Sequence, residues 1–330
     1  MFMKSQPNER ILLEDYASVT SLESLVQGYL LNCRCESKST ATIANYQYRL
    51  ACFLWFCQHS GYPDEPQKIT ANHIRHFLWY LSSQSNRWGS GSTSARKPAS
   101  ESTVNHYYHI LSAFFGWLKR EEFIGDNPTA RLKPPKMNQK VVQALKPTEV
   151  EVLLTRCSSK SFLDIRNRII LMMLIDTGLR VFELANLRLD DIDMNTGSIL
   201  VRHGKGNKQR VVRIGTKTQK ALWKYATLYR RSDSDKLLVN RSGEPLDVTG
   251  IKLMVRRLGK RADIQGVHVH RLRHTFAISF LRAGGDVFSL QYLLGHTTLA
   301  MTQRYLQSLN ADDAVKAHQR FSPIDNLFTK

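Results

Sequence analysis

Hydrophobic residues recur every three or four positions through the first third of the chain, between residues 21 and 123. Separate stripes begin near Leu22, run through residues 40–61, follow Thr70 and follow Ser102. This spacing places the apolar side chains on one face of a helix. The pattern predicts about four helices, which form a helical bundle of one small domain. The aromatic residues in these stripes are interpreted as core rather than as platforms for stacked bases.

Two stretches interrupt this helical pattern. Residues 82–100 are rich in Ser and Gly and carry Arg87, Arg96 and Lys97, so they are predicted to be a flexible loop. Two alternatives stay open for this insertion: it orders on DNA, or it is simply solvated. Residues 127–146 hold several prolines and basic residues, which prevent a continuous helix and predict a basic interdomain linker.

The second half of the chain combines helices with one predicted hairpin. The pattern predicts a helix capped by Thr148, an apolar helix over residues 162–175 and a new helix around Arg180. Residues 198–214 contain two β-rich runs around a glycine-rich turn, which is typical of an antiparallel hairpin. Three helices separated by glycine turns follow between residues 267 and 306. The predicted fold class is therefore mainly α with a small antiparallel β-sheet (α+β).

The net charge of the chain predicts the kind of partner that it binds. The chain of 330 residues has 47 Lys and Arg against 28 Asp and Glu, a net charge of +19, which indicates a polyanionic partner. The five cysteines show no paired C-x-x-C spacing, which favours reduced thiols over disulfides or a zinc site. Asp190, Asp191 and Asp193 lack the spacing of a calcium loop and are interpreted as turn residues. No apolar run is long enough to span a membrane and no signal peptide opens the chain, so a cytoplasmic location is expected.

Several residues of the second half have the chemistry to bind phosphate. His270 and Arg273 are three positions apart, so they share one helical face and suit a phosphate oxygen. On its own, such a pair is also typical of a basic helix face. Arg180 follows a glycine turn at a predicted helix N-terminus, where an arginine suits an anion or forms a structural ion pair. Lys205 lies in the glycine-rich turn, where it reaches a DNA groove, donates a proton or is merely solvated.

These residues occur in a specific order of motifs. Arg180 lies in T-G-L-R-x-x-E-L, Lys205 in G-K-G-N-K-x-R, His270 and Arg273 in H-x-x-R-H-T-F-A and His296 in L-G-H, and Tyr305 comes last. As an ordered set, the motifs resemble the tyrosine recombinase (phage integrase) family, in its Xer-like or transposon integrase type. The resemblance covers nearly the whole chain, from about residue 21 to Tyr305. The insertion at residues 82–100 is longer than the compact Xer-like pattern has, so the subgroup stays open.

The resemblance implies a set of roles in DNA cleavage. Tyr305 would be the nucleophile, which forms a 3′-phosphotyrosyl link and releases a 5′-hydroxyl. Arg180 and Arg273 would hold the non-bridging phosphate oxygens. Lys205 would be the general acid that protonates the leaving 5′-oxygen.

The two histidines complete the implied site. His270 would assist proton transfer and bind phosphate, and His296 would donate a hydrogen bond to the phosphate. Converging cations favour a phenolate and stabilise the charge of the transition state. The covalent link conserves the bond energy, so no cofactor, metal or ATP is expected.

The resemblance also implies a domain plan and partners. Residues 1–20 would be an extension, 21–126 a helical core-binding (SAM-like) domain, 127–146 the linker, 147–312 the catalytic domain and 313–330 a tail that contacts a neighbouring protomer. The two domains would close on DNA as a C-shaped clamp. The implied partners are double-stranded DNA with inverted-repeat core sites and further copies of the chain. The chain would be a monomer when free and a homo-tetramer on two DNA sites, where strands exchange through a Holliday junction. Accessory proteins are among the partners that the resemblance allows, and a membrane is not.

Two other classes of protein stay open at this point. A type IB topoisomerase would share the Arg-Lys-Arg-His-Tyr chemistry but would relax supercoils without exchanging partners. A non-catalytic DNA-binding protein would explain the charge and the helical domain. It would not explain the complete chemical set.

Overall fold

The computed structural model describes residues 21–89, 95–135, 143–202 and 209–309, together with the single residues 313, 315, 318 and 327. The chain divides into two compact units, residues 1–139 and 140–330. Within the described ranges, no helix combines the length and the apolar character that a membrane span needs. The predicted N-terminal extension, most of the tail and the turn of the hairpin lie outside the described residues.

Four α-helices form the described part of the first unit. They are α1 (Leu22–Cys35), α2 (Thr40–His59), α3 (Ala71–Ser83) and α4 (Glu101–Arg120). Ser21, Ser39 and Ser100 cap α1, α2 and α4, because each serine oxygen accepts the backbone N–H three residues further on. The predicted helical bundle is confirmed.

Aromatic side chains fill the core of this bundle. Phe53, Phe77, Phe114 and Phe115 are fully buried. The ring centroids of Phe53 and Phe77 are 5.1 Å apart, and those of Phe114 and Phe115 are 5.2 Å apart, both in edge-to-face packing. The interpretation of these aromatics as core is confirmed, whereas Trp79 remains 57% exposed.

The prediction of a flexible loop over residues 82–100 is wrong for its described ends. Trp88 is only 9% exposed, and its ring packs against three aromatic rings of α2 and α3. The guanidinium of Arg87 donates to the backbone carbonyls of Gln84 and Lys97 at 2.8 and 2.6 Å. Trp88 and Arg87 therefore attach the described ends of this segment to the bundle. The average composition of the segment, rich in Ser and Gly, does not indicate this.

Eight α-helices and a two-stranded sheet are described in the second unit. The helices are α5 (Pro147–Thr155), α6 (Phe162–Thr177), α7 (Val181–Asn186), α8 (Thr216–Lys224), α9 (Val248–Arg261), α10 (Val269–Arg282), α11 (Val287–Leu294) and α12 (Leu299–Leu306). The strands are β1 (Ser198–Val201) and β2 (Arg210–Arg213), which pair antiparallel with Ser198 opposite Arg213 and Val201 opposite Arg210. The predicted fold class, mainly α with a small antiparallel sheet, is confirmed.

The predicted cap of α5 differs in the structure. Thr148 does not cap α5, because that helix already begins at Pro147 and its cap position is Lys146. Proline is favoured at the first helical position since it has no N–H to leave unpaired. The carboxylate of Glu149 accepts the N–H of Lys146 at 2.7 Å instead. Thr298 occupies the cap position of α12, but its side chain makes no capping hydrogen bond.

The packing of α6 against α10 brings the predicted motifs together. α6 ends at Gly178, which has a left-handed φ of 62°. A Cβ at Gly178 would lie 2.3 Å from Cδ1 of Phe276 on α10, so only glycine permits this approach. The chain therefore turns directly against α10 and reaches Arg180 beside the helix that carries Arg273.

Candidate active site

Arg180 occupies the cap position of α7 and is held by two neighbours. Its backbone N–H donates to Oε2 of Glu183 at 2.8 Å, and its Nη1 donates to Oε1 of the same carboxylate at 3.0 Å. Its Nη2 donates to the carbonyl of Gly295 at 3.1 Å. The side chain is 25% exposed, so the guanidinium is fixed by protein contacts yet open to a ligand.

Arg273 is a buried residue of α10 whose guanidinium donates hydrogen bonds to the ends of two other helices. Its Nη1 donates to the carbonyl of Gly178 at 2.6 Å and its Nη2 donates to the carbonyl of Leu294 at 2.7 Å. Burial first, and the nearby charge of Arg180 second, lower the pKa of Arg273 to about 10. The guanidinium therefore remains a cation at neutral pH, so two positive charges lie close together at Arg273 and Arg180.

His296 joins this pair from the loop that follows α11. Gly295 ends α11 with a left-handed φ of 61°, as the glycine stop predicted. Nε2 of His296 lies 3.1 Å from Nη2 of Arg273, and Nδ1 lies 2.9 Å from Oγ1 of Thr302. Burial, followed by the charges of Arg273 and Arg180, lowers the pKa of His296 to about 4. The ring is therefore neutral at pH 7, so Nε2 accepts from Arg273 and the Nδ1–H donates to Thr302.

Tyr305 is a residue of α12, and its ring lies beside the ring of His296. The two rings are nearly parallel, with 5° between their planes and 6.0 Å between their centroids. The ring of His274 lies 5.2 Å from that of Tyr305 on another side. The structure thus brings Arg180, Arg273, His296 and Tyr305 together around the loop at Gly295.

His270 and Lys205 are the remaining predicted residues of the site. His270 shares the face of α10 with Arg273, one turn earlier, and its ring is partly withdrawn from solvent although the residue keeps an exposed surface. Removal from water first, and then the charges of His268 and Arg273, lower its pKa. Lys205 lies outside the described residues.

Three further residues belong to this site and were given no role from the sequence, although Glu183 and Arg210 are positions of the quoted motifs. Glu183 is 5% exposed and accepts from Arg180, and Arg210 is 5% exposed and pairs with Glu183 at 2.8 Å. Thr302 is fully buried and accepts from His296. One signal was available for Arg210, because the strand alternation of β2 places it on the same inward face as Val212. A charged residue at such a position needs a buried partner.

Comparison with known proteins assigns the chain to a family. Residues 143–311 match the model described as "Phage integrase family", and residues 25–124 match the one described as "Phage integrase, N-terminal SAM-like domain". The chain is 32% identical over 299 residues to the tyrosine recombinase XerC of Oceanobacillus iheyensis, which covers 88% of this chain and 93% of the relative. It is 30% identical over 273 residues to the tyrosine recombinase XerD of Halalkalibacterium halodurans, covering 81% of this chain and 87% of the relative.

Solved structures show the same fold at lower identity. A lambda integrase dimer bound to a core site has a TM-score of 0.67 and 19% identity, covering 85% of this chain and 97% of that one. The Tn1549 transposon integrase in complex with a circular intermediate DNA has a TM-score of 0.70 and 17% identity, covering 92% of this chain and all of that one. The chain therefore belongs to the phage integrase family and is a tyrosine recombinase. The resemblance drawn from the ordered motifs is confirmed.

Proposed function

We propose that this recombinase cleaves and rejoins DNA at specific sites with Tyr305 as its nucleophile. The phenol oxygen of Tyr305 attacks the scissile phosphorus, the P–O5′ bond breaks, and the phosphate stays on Tyr305 as a 3′-phosphotyrosyl ester. The leaving 5′-oxygen takes up a proton and departs as a hydroxyl. Attack of a 5′-hydroxyl on the ester reverses the step, so rejoining consumes no ATP.

The convergence of two guanidinium groups beside the ring pair of His296 and Tyr305 carries this proposal. Arg180 gives two of its five N–H groups to protein acceptors within the described residues. Arg273 gives one N–H to each of two carbonyls and one to His296. N–H groups of both arginines therefore remain for the non-bridging oxygens of a phosphodiester. Loss of one such donor costs on the order of 10²–10³ in rate.

The histidines change their hydrogen bonds when phosphate binds. A phosphodiester anion next to His296 favours the imidazolium, since an opposite charge raises the pKa of a histidine. The Nε2–H then donates to the phosphate instead of accepting from Arg273. His270, one turn from Arg273 on α10, assists proton transfer.

Lys205 is the general acid of this proposal, on the strength of its motif. The strands that lead into and out of its turn are described, with Val201 opposite Arg210. Arg210 bonds to Glu183, and Glu183 bonds to Arg180. The base of the turn is thus connected to the phosphate-binding arginine by two ion pairs.

The proposed substrate is double-stranded DNA with inverted-repeat core sites. The net charge of +19 suits a polyanion, and the first unit serves as the core-binding domain. Four copies act on two sites through a Holliday junction, and a lambda integrase of the same fold has been solved as a tetramer bound to such a junction. Residues 313–330 join neighbouring copies, so deletion of residues 322–330 abolishes cooperative assembly while single-site binding persists. A truncated protein that still assembles would remove this role.

Covalent trapping tests the nucleophile. The substrate is a duplex selected from random sequence by binding, with a nick placed so that the short cleaved strand diffuses away. The wild-type protein and Tyr292→Phe, which alters an exposed tyrosine of α11, should form a covalent adduct, and Tyr305→Phe should not. Adduct formation by Tyr305→Phe, or a wild-type protein that only binds, would overturn the proposal. A two-site reaction then separates recombination, which exchanges partners, from mere relaxation of supercoils.

A bridging sulfur tests the role of Lys205. Lys205→Ala should cleave normal DNA at least about tenfold more slowly, as expected for loss of a general acid. It should cleave DNA with sulfur at the 5′-bridging position nearly as fast as wild type, because a thiolate leaves without a proton. Equal loss on both substrates would rule out the acid role.

A further inference from the structure

Arg210 occupies an unusual place for a charged side chain. It lies at an inward-facing position of β2 and is 5% exposed. Its Nη1 and Nη2 donate to Oε1 and Oε2 of Glu183 at 2.9 and 2.8 Å, which is a two-pronged ion pair. Its Nε donates to the carbonyl of Leu293 at 2.8 Å, just before the loop that carries His296. One guanidinium thus joins β2, α7 and the end of α11.

The acceptor positions of Glu183 are all occupied in this arrangement. A carboxylate offers about four lone-pair positions. Oε1 accepts from Nη1 of Arg210 and Nη1 of Arg180, and Oε2 accepts from Nη2 of Arg210 and the backbone N–H of Arg180. Arg180 therefore has only one side-chain N–H bound to the carboxylate.

The charge of Glu183 is also shared unequally between Arg210 and Arg180. Burial by itself would raise the pKa of Glu183, but the hydrogen bonds and charge of Arg210, and then the N–H groups of Arg180, lower it below its usual value. Glu183 is thus an anion shared by two cations. Arg210 is its main partner, and Arg180 gives it only one side-chain hydrogen bond besides its backbone N–H.

We infer that Arg210 is a positioning residue that keeps Arg180 available for the scissile phosphate. This inference rests on the proposed role of Arg180 in DNA cleavage. Without Arg210, the buried carboxylate of Glu183 has two empty acceptor positions, and Arg180, which already bonds to both of its oxygens, is in place to fill them. A two-pronged bond between Arg180 and Glu183 then replaces the bond to phosphate.

Single-turnover cleavage at saturating DNA tests this inference. Arg210→Met should cleave about 100-fold more slowly than wild type, the loss typical of a missing oxyanion donor, with DNA affinity within about threefold. Glu183→Gln added to Arg210→Met should recover at least about tenfold of the rate, because a neutral amide no longer captures Arg180. A purely structural role for Arg210 predicts no recovery.

A double-mutant cycle adds a readout specific to Arg180. In the wild-type background, Arg180→Ala should slow cleavage by about 100-fold or more. In the Arg210→Met background it should add less than about threefold, since Arg180 is already withdrawn. Additive losses, or an Arg210→Met enzyme that cleaves within threefold of wild type, would overturn the inference.

Controls separate this inference from folding and from the proposed function. Arg213→Met changes an exposed position of the same strand and should cleave at the wild-type rate. If Arg210→Met fails to fold, Arg210→Lys keeps the charge but has a single donor group. It should be about tenfold slower and should be rescued by Glu183→Gln, and no rescue would contradict the inference. A wild-type enzyme that forms no adduct would sink the proposed function as well, whereas failure of the rescue alone would sink only this inference.

Discussion

Nδ1 of His296 lies 2.9 Å from Oγ1 of Thr302, and Thr302 precedes Tyr305 by three residues on α12. Residues three apart share one face of a helix, so one hydrogen bond connects the loop at Gly295 to the face that bears the proposed nucleophile. The same histidine contacts Arg273 through Nε2. His296 therefore connects Arg273, through one hydrogen bond on each side of its ring, to the helix that carries Tyr305.

Replacement of Thr302 tests this connection. Thr302→Val removes the acceptor but keeps the shape, so the N–H of His296 is left unpaired at a cost of about 1–3 kcal/mol. We expect cleavage to slow by about tenfold, or 1.4 kcal/mol, because α12 loses its bond to the loop. Single-turnover adduct formation measures the rate.

Two matched variants accompany that measurement. Thr302→Ser keeps the acceptor and should retain most of the activity. Thr297→Val alters an exposed threonine of the same segment and should have no effect. Equal rates for Thr302→Val and Thr297→Val would show that the hydrogen bond does not position Tyr305.

The neutral state of His296 predicts a loss of stability in acid. Its pKa is about 4 in the folded protein, below the value of about 6.5 expected when unfolded, so the unfolded state binds the proton more readily between these values. The contribution is fully present above about pH 6.5 and is lost as the pH falls toward 4, at about 1.4 kcal/mol per pH unit as an upper bound. Denaturant unfolding of wild type and His296→Gln across this range measures it.

The substitution isolates one histidine among several. The pKa values of His270 and His274 are also lowered, by burial and then by neighbouring cations, so wild-type stability has other acid-sensitive contributions. The His296→Gln protein should lose stability less steeply between pH 6.5 and 4. Identical slopes for the two proteins would contradict the neutral, buried state of this ring.

Gly178 and Gly266 form a matched pair for a test of the tight turn before Arg180. Both have a left-handed φ, 62° and 68°, but a Cβ at Gly178 would clash with Phe276 at 2.3 Å, whereas at Gly266 its nearest neighbour is 3.8 Å away. Gly266→Ala should cost about 1 kcal/mol from backbone strain alone. Gly178→Ala should cost at least about 3 kcal/mol, because overpacking adds to the strain.

Activity gives the second readout for this pair. The carbonyl of Gly178 accepts from Arg273, so a displaced turn also moves the arginine. Gly178→Ala should therefore lose cleavage activity even at temperatures where it is folded, and Gly266→Ala should not. Similar unfolding free energies for the two variants would argue against the close approach of α6 and α10.

Trp88 provides a test in the first unit. Trp88→Ala should reduce the free energy of unfolding by about 3–5 kcal/mol, as for other buried tryptophans. Trp79→Ala should change it by less than about 0.5 kcal/mol, because that ring is 57% exposed. Chemical denaturation measured by far-UV circular dichroism compares the two, and equal effects would mean that residues 82–89 do not belong to the core.

Local patterns in the sequence determined the elements and the order of the motifs. Apolar spacing marked the helices of both units, and the glycine turns before Arg180 and between residues 267 and 306 marked where helices end, because these preferences arise within a few residues of each position. The hairpin strands followed from two β-rich runs. The ordered motifs also identified the family, which the comparisons confirm.

Tertiary structure alone decided which side chains meet. Glu183 and Arg210 are 27 positions apart, and their pairing depends on where β2 lies against α7. The neutral state of His296 follows from its burial among cations that come from three other segments. Trp88 joins a core although its own neighbours are polar. Such contacts are set by packing between distant segments, and no local pattern encodes which buried polar groups will satisfy one another.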